Sequence, residues 1–484
     1  MDPRARSIAL ALSVLLAVGI APAPAGDAAA RCASPQHVIE HRGDAQRPAG
    51  GAVACGMFTG FGGSEARVAV TKDGTVVYEP AVLTPGLLGT GFVPGAPGPT
   101  PQTQLSPGGL AVSSNDGARW RFVAPGEATW TPQDDQIYVD RRTGRIFWYA
   151  MQPNPIPTTG GVPVQDDLPL GYSNLLTSAD DGRTWRHVAL PGYLASENPR
   201  FMTAVAPKGQ TAPKGYPDVA YWCGNNALFV YVGRECWRSL DGGLSWSFAS
   251  VLFTRGPSQR PECGGNEEQF NDGDGNYPEA APDGSLYVMV VCGGNTFLAR
   301  STDEAATWPI VRVHGTPLTI PAADELRVDA SGNFYAVHKD GDRLLLSVSR
   351  DRGLTWSPPV NVVAPDATRL DQWFVAVGKP GQVAFAYLAG DGNGPGYDAY
   401  LTMTKDGLAG QPTFLSAIGN DPAHPLNAST GQPAKDDFIG VDLAPDGSAW
   451  GAYYADCTPD APECAQGGAP DIEANRAFAV HLIS

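Results

Sequence analysis

An all-β fold built from repeats, a β-propeller of about seven four-stranded blades with six as the alternative, follows from three observations. The 484 residues include 58 glycines and 44 prolines, and runs with helical periodicity are hard to find. A strand, a Gly-containing tight turn and a second aromatic or β-branched strand recur seven times. A turn-forming octapeptide recurs five times, following the hairpin in each of the first five units. Two hairpins per unit make about four strands, and four-stranded sheets repeated at this length are propeller blades.

The chain begins with Arg4 and Arg6, then the apolar run "IALALSVLLAVGI" and the small residues "APAPAGDAAA". This pattern predicts a secretory signal over 1–30, cut after Ala25 or Ala30, with 31–484 forming the propeller. Arg31 stands where a lipoprotein signal needs a small residue before Cys32, so no membrane anchor is expected. The apolar run is too short to span a bilayer comfortably. All eight cysteines follow the signal, and an even count in an exported chain favours disulfides. Pairing neighbours gives Cys32–Cys55, Cys223–Cys236, Cys263–Cys292 and Cys457–Cys464, one of 105 arrangements. The formal net charge of −17 disfavours nucleic acid and anionic membranes as partners.

The hairpins are "AVTKDGTVVYEP" from 69, "YVDRRTGRIFWYA" from 138, "YWCGNNALFVYV" from 221, "EAAPDGSLYVMVV" from 279, "RVDASGNFYAV" from 327, "AVGKPGQVAFAYL" from 376 and "DLAPDGSAWGAYY" from 442. The last unit ends in the lone strand "RAFAVHLI". A ring closes without an open edge, so residues around "AVACGMFTG" near the N-terminus are expected to complete that blade. The long stretches 94–107 and 261–279 read as insertions on one face.

The octapeptides are "SSNDGARW" at 113, "SADDGRTW" at 178, "SLDGGLSW" at 239, "STDEAATW" at 301 and "SRDRGLTW" at 349, with a degenerate sixth in "TMTKDGLAG". Their chemistry suits a hairpin corner. Asp accepts backbone N–H bonds two residues on, Ser or Thr does so more weakly, and Gly takes the left-handed position. The Trp starts the outer strand and buries its ring between sheets. These boxes resemble the Asp-box (BNR) repeats of the sialidase (neuraminidase) superfamily, where they are structural turns away from the catalytic pocket.

That resemblance implies a site to look for. Sialidases grip the sialate carboxylate with an arginine triad whose first member lies in an R-I-P motif of the first blade. They add a Tyr nucleophile paired with Glu, and an Asp as acid/base, for an oxocarbenium-like transition state. No R-I-P occurs here; Ser64 falls where that Arg belongs, and Arg67, three residues on, is expected to face the other way. Tyr453 or Tyr454 as nucleophile, Glu197 or Glu279 as base, and Asp437 remain as catalytic candidates. The seven-unit count also departs from the six blades of sialidases.

Independently of the resemblance, most units place an acid shortly before the expected innermost strand: Glu65, Asp135, Asp218, Glu325, Asp371 and Asp437, with Asp274 or Glu279 in the fourth. Such carboxylates could ring one channel mouth and bind a cation or polyhydroxy ligand. The alternative, and the default, is that each ties neighbouring backbone N–H groups together, because a ring of buried like charges is costly. Trp373 and Tyr138 could stack on sugar rings, with blade packing as their default role. Asp272, Asp274 and Asn276 alternate as in calcium loops, making Ca²⁺ a candidate ion, although the sixth-position Gly and the distant Glu are missing. "HVIEH" at 37 fits an inverted zinc-peptidase pattern, but its surroundings cannot extend a metal-binding helix.

The expected protein is therefore a secreted propeller that engages extracellular glycan or a related ligand at its channel mouth and needs no cofactor beyond that candidate Ca²⁺. The alternatives are an exo-glycosidase of exo-α-sialidase type and a non-catalytic protein-binding scaffold.

Overall fold

A computed structural model describes residues 35–62, 64–81, 110–123, 136–152, 172–190, 196–206, 214–228, 230–254, 256–269, 277–392, 394, 396–426, 438–455 and 476–484. The expected signal, Cys32, Cys457, Cys464 and the 94–107 insertion lie outside these residues.

Seven antiparallel sheets form a ring. Blade one contains Ser64–Val70, Val76–Ala81, Leu110–Ser113 and Arg121–Val123, and blade two Gln136–Val139, Ile146–Gln152, Tyr172–Ser178 and Arg186–Leu190. Blade three runs through Ser196–Ala204, Val219–Leu228, Val230–Ser239 and Ser247–Thr254. Blade four has Glu279–Ala280, Leu286–Cys292, Asn295–Ser301 and Thr319–Ile320, and blade five Glu325–Val328, Phe334–Asp340, Arg343–Ser349 and Val360–Asn361. Blade six uses Trp373–Val377, Val383–Ala389, Asp398–Thr404 and Phe414–Ile418. Blade seven joins Gly440–Leu443, Ala449–Ala455 and Arg476–Ile483 to Val53–Gly62. The innermost strand of each blade touches those of both neighbours all the way round, so the ring is closed.

The closure is as the sequence predicts. The N-terminal strand pairs antiparallel with the C-terminal one, with Gly56 opposite Val480 and Ala54 opposite Leu482. A further hairpin, Val38–Arg42 and Ala45–Pro48, adds outside the fourth strand of blade six. The N-terminal segment therefore fastens two adjacent blades. It also places "HVIEH" in a strand paired on both sides: His41 is buried, hydrogen-bonded through Nε2 to Ser416 Oγ at 2.8 Å, and forms no metal-binding helix.

Why these strands stack is visible in their composition. Central strands such as Val383–Ala389 are buried along their whole length and apolar on both faces, which lets each sheet contact both neighbours. The apolar core divides into seven clusters, one between each pair of adjacent blades. Six of the first hairpins turn on a Gly with φ between 81° and 89°. Blade three differs. Its first connection is the longer stretch 205–218, and the "CGNN" segment lies within its second strand. Disulfides Cys223–Cys236 and Cys263–Cys292 form as neighbour pairing predicts. Cys55 is also disulfide-bonded.

All five octapeptides turn between the third and fourth strands of their blades. In the second copy the Ser178 hydroxyl donates to Asp180 Oδ1 (2.9 Å), and the Gly182 amide donates to Ser178 Oγ (2.9 Å). Thr184 completes the corner, its amide (2.8 Å) and hydroxyl (2.7 Å) both donating to Asp180. Asp241, Asp303 and Asp351 repeat the pattern, and Asn115 keeps its amide-accepting part. Burial pushes the Asp180 carboxyl up, but the Thr184 and Ser178 bonds outweigh it and the net shift is downward. In the degenerate sixth copy, the Thr404 hydroxyl donates to Asp406 Oδ1 at 2.7 Å. These turns carry no nucleophile beside a base; they are scaffold.

Candidate functional site at the channel mouth

The innermost strands start together at one mouth of the ring, and the first residues of several carry charge. Glu325 opens its strand in blade five, Glu279 in blade four, and Arg327 follows Glu325 by two residues. A period of two puts Glu325 and Arg327 on one face. Arg200 lies in the innermost strand of blade three, just after a β-bulge between Glu197 and Arg200. Its Nη2 donates to Glu325 Oε1 at 3.0 Å and its Nη1 reaches Glu325 Oε2 at 3.4 Å and Glu279 Oε1 at 3.5 Å. Arg327 donates from Nη1 to Glu279 Oε1 at 2.7 Å, and its Nε sits 3.2 Å from Glu325 Oε2. The two acids are thus held by the same two guanidinium groups.

Aromatic rings extend the cluster. Phe374, second residue of the innermost strand of blade six, has the guanidinium carbons of Arg67, Arg200 and Arg327 at 5.0, 5.6 and 5.1 Å from its ring centre. These arginines come from blades one, three and five. Arg67 also stacks on Phe438 (4.5 Å), and Tyr277 takes Arg200 at 5.0 Å and Arg234 at 3.8 Å. Arg67, Arg200, Arg234 and Arg327 are all buried. Four guanidinium groups, Glu279 and Glu325 therefore meet in this cluster among the described side chains. The Nη2 of Arg327 is buried and finds no hydrogen-bond partner among the described residues. Chemically, the cluster offers forked donors in a poorly hydrated setting, which is what binds a carboxylate bidentately.

Arg67 corrects one expectation. Counting residues aimed it away from the channel, but a β-bulge between Ser64 and Arg67 sets three residues against two on the partner strand. The bulge re-aims the side chain. Its Nη1 donates to the carbonyl of Ile439 at 2.6 Å, bridging blades one and seven.

Several other predicted residues whose side chains are described lie apart from this cluster. Asp218 is not at this mouth. The innermost strand of blade three is Ser196–Ala204, so Asp218 comes after that strand has left the opposite end. There it pairs with Arg142 at 2.5 Å, from the first hairpin turn of blade two. Burial, then the nearby Asp140, push its pKa up against Arg142. Asp371 lies just before the innermost strand of blade six, its amide donating to Leu388 and its carbonyl accepting from Lys339 Nζ. Tyr453 is fully buried between blades, its hydroxyl donating to the Tyr400 carbonyl at 2.5 Å, and it does not reach the cluster. Tyr454 comes nearer the mouth, donating to Gln372 Oε1 at 3.2 Å. Trp373 and Tyr138 pack between blades, and the Tyr138 hydroxyl pairs with Thr203 Oγ1. Glu65 and Glu197 lie in innermost strands. Asp135, Asp437, Asp272, Asp274 and Asn276 lie outside the described residues. Among the described residues no group of three or more His, Cys, Asp or Glu could hold a metal ion.

Sequence reasoning missed Arg200, Arg234, Arg327, Tyr277, Phe374 and Phe438. One signal was available: Glu65-Ala-Arg67 and Glu325-Leu-Arg327 repeat an acid-x-Arg step at the start of an innermost strand.

No family model matches the chain, and no curated protein matches it. Solved structures similar to it include a protein of unknown function from Dyadobacter fermentans, 14% identical, with a TM-score of 0.43 over 74% of this chain and 96% of that one. A Hadza microbial sialidase is also 14% identical, with a TM-score of 0.41 over 73% of this chain and 65% of that one. A xyloglucanase from Xanthomonas campestris is 15% identical, with a TM-score of 0.44 over 83% and 53%. The seven-bladed assignment rests on the strand ring itself.

Proposed function

We propose that this protein is a secreted propeller that binds an acidic extracellular glycan at the channel mouth, gripping a sugar carboxylate with Arg327 and its neighbours Arg67 and Arg200. The observation that carries the reading is the buried convergence of arginines from alternate blades, one of them with a donor that finds no partner among the described residues. A buried guanidinium N–H left unsatisfied is costly, and an anionic ligand would give the Arg327 Nη2 a partner beside the two guanidinium groups stacked on the same ring. The disulfides support an oxidising compartment. The octapeptide turns support kinship with the sialidase superfamily.

Hydrolysis is the second reading, favoured by the two carboxylates that share Arg200 and Arg327. Such a pair is the minimal equipment for glycoside cleavage. Glu279, the more exposed side chain at 16% against 4% for Glu325, is the candidate acid/base. The test is binding of N-acetylneuraminate and glucuronate by the purified mature protein. It is run with turnover of fluorogenic sialosides, uronides and neutral aryl glycosides, with and without Ca²⁺. Carboxylate-selective binding lost in Arg327→Gln supports the reading, and turnover abolished in Glu279→Gln adds hydrolysis. Absence of both hands the lead to the protein-binding scaffold.

A further inference from the structure

We propose that Phe374 is a built-in stopper on the arginine site, its ring standing where a ligand's carboxylate-bearing end belongs, so that it restricts the site to ligands able to displace it. The inference rests on the acidic-glycan reading and adds the residue that gates it. The ring lies within 5.0–5.6 Å of three guanidinium carbons drawn from blades one, three and five, so it occupies the point on which they converge. A phenyl face attracts cations but accepts no strong hydrogen bond, whereas a carboxylate satisfies forked N–H donors directly. The buried Arg327 Nη2, without a hydrogen-bond partner among the described residues, is the donor the ring leaves unsatisfied.

The ring is also placed to move. Phe374 is the second residue of its strand, beside the mouth, and its cross-strand partner is the small Ala386. Rotation about χ1 to another staggered well is local and leaves the strand paired. A site open only while the ring is displaced binds with an apparent affinity reduced by the open fraction. Neutral sugars bring no anion to Arg327 and have nothing to exchange for the stacked ring.

The experiment is calorimetric titration with N-acetylneuraminate, glucuronate and acetate. The proteins are the mature wild type, Phe374→Ala, Phe374→Leu and Phe374→Ala combined with Arg327→Gln. Thermal melts confirm folding, and Leu keeps most of the apolar volume if Ala destabilises the ring. The expected result is binding of the carboxylates by wild type and about tenfold tighter binding by Phe374→Ala. Leu should fall between them, and the double variant should lose binding. Equal or weaker binding by both single variants overturns the stopper and makes the ring a bystander or a sugar platform, while wild-type binding keeps the acidic-glycan reading. Failure of every protein to bind any carboxylate overturns both.

Discussion

The octapeptide corners and the channel cluster both depend on carboxylates, and they are built in opposite ways. At a corner such as Ser349–Trp356, every partner of the acid lies within four residues: Ser349 donates to Asp351 Oδ1 at 2.8 Å, and the Thr355 amide and hydroxyl donate at 2.8 and 2.6 Å. In the channel, Arg200 meets Glu279 and Glu325 across 79 and 125 residues, from three different blades. The corner is finished once its own turn closes. The cluster exists only when the ring does, and its charges are buried while those of the corners are not.

The largest expected effect tests that difference. Arg200→Met leaves Glu325 buried at 3% exposure without its Arg200 partner. Stranding a buried charge costs about 3–5 kcal/mol, read as a lower midpoint in denaturant unfolding. Adding Glu325→Gln should return much of it. A loss below about 1 kcal/mol would mean that the cluster is hydrated like a surface pair.

Asp398 sharpens the comparison as an acid that is buried without an ion-pair partner in hydrogen-bond range among the described residues. Burial, opposed by the Asn420 amide at 2.6 Å, pushes its pKa up to about 7. Between the ordinary carboxylate range and 7, the folded state holds a proton that the unfolded state has released. Stability therefore falls as pH rises from about 4 to about 7 and is flat in this contribution above that. Asp398→Asn should remove the slope and gain on the order of 3 kcal/mol at pH 8 relative to pH 4. Unfolding curves at the two pH values check it; an unchanged slope would locate the titration elsewhere.

The same contrast explains what could be read in advance. The blade repeat, the closing strand and the corners are encoded in turn residues and strand periodicity over ten or so positions, so they were legible. Seven blades emerge because each unit repeats that local code. The third blade was misread because its "CGNN" stretch looks like a hairpin turn yet lies within a strand, which carried Asp218 to the wrong end. The channel cluster was hidden for two physical reasons. Its partners are brought together only by ring closure, and bulges before Arg67 and Arg200 break the alternation by which side-chain direction is counted.

Among the corners, backbone strain gives the next effect. Gly243 has φ +88°, and an added Cβ would stand 2.4 Å from Thr177 Cγ2 and 3.0 Å from Phe147. Gly243→Ala should cost about 2 kcal/mol in equilibrium unfolding. The fourth copy already carries the alternative: Ala305 sits at φ +64°, with its methyl buried. Ala305→Gly relieves the left-handed strain but loses the methyl's burial and loosens the unfolded chain, so these contributions offset to within about 0.5 kcal/mol. A large loss there would show that the copies are not interchangeable.

The smallest effect discriminates best. Asp351→Ala removes bonds confined to one turn and should cost about 1 kcal/mol. The Thr355 hydroxyl bond, then the Thr355 amide, hold the Asp351 carboxyl below the ordinary range. Its contribution is therefore complete above that range and is lost as pH falls through the lowered value, so the variant should differ less from wild type in acid. Asp180→Ala, in blade two, should behave alike. Because the turns share no partner, the double variant should lose the sum of the two within about 0.5 kcal/mol. Arg200→Met with Glu325→Gln should depart from additivity by about 1–3 kcal/mol, since each charge sets the cost of the other. Coupling between the two corners, measured in the same unfolding series, would show that the blades transmit strain to one another through their cores. The corners would then be no more local than the channel.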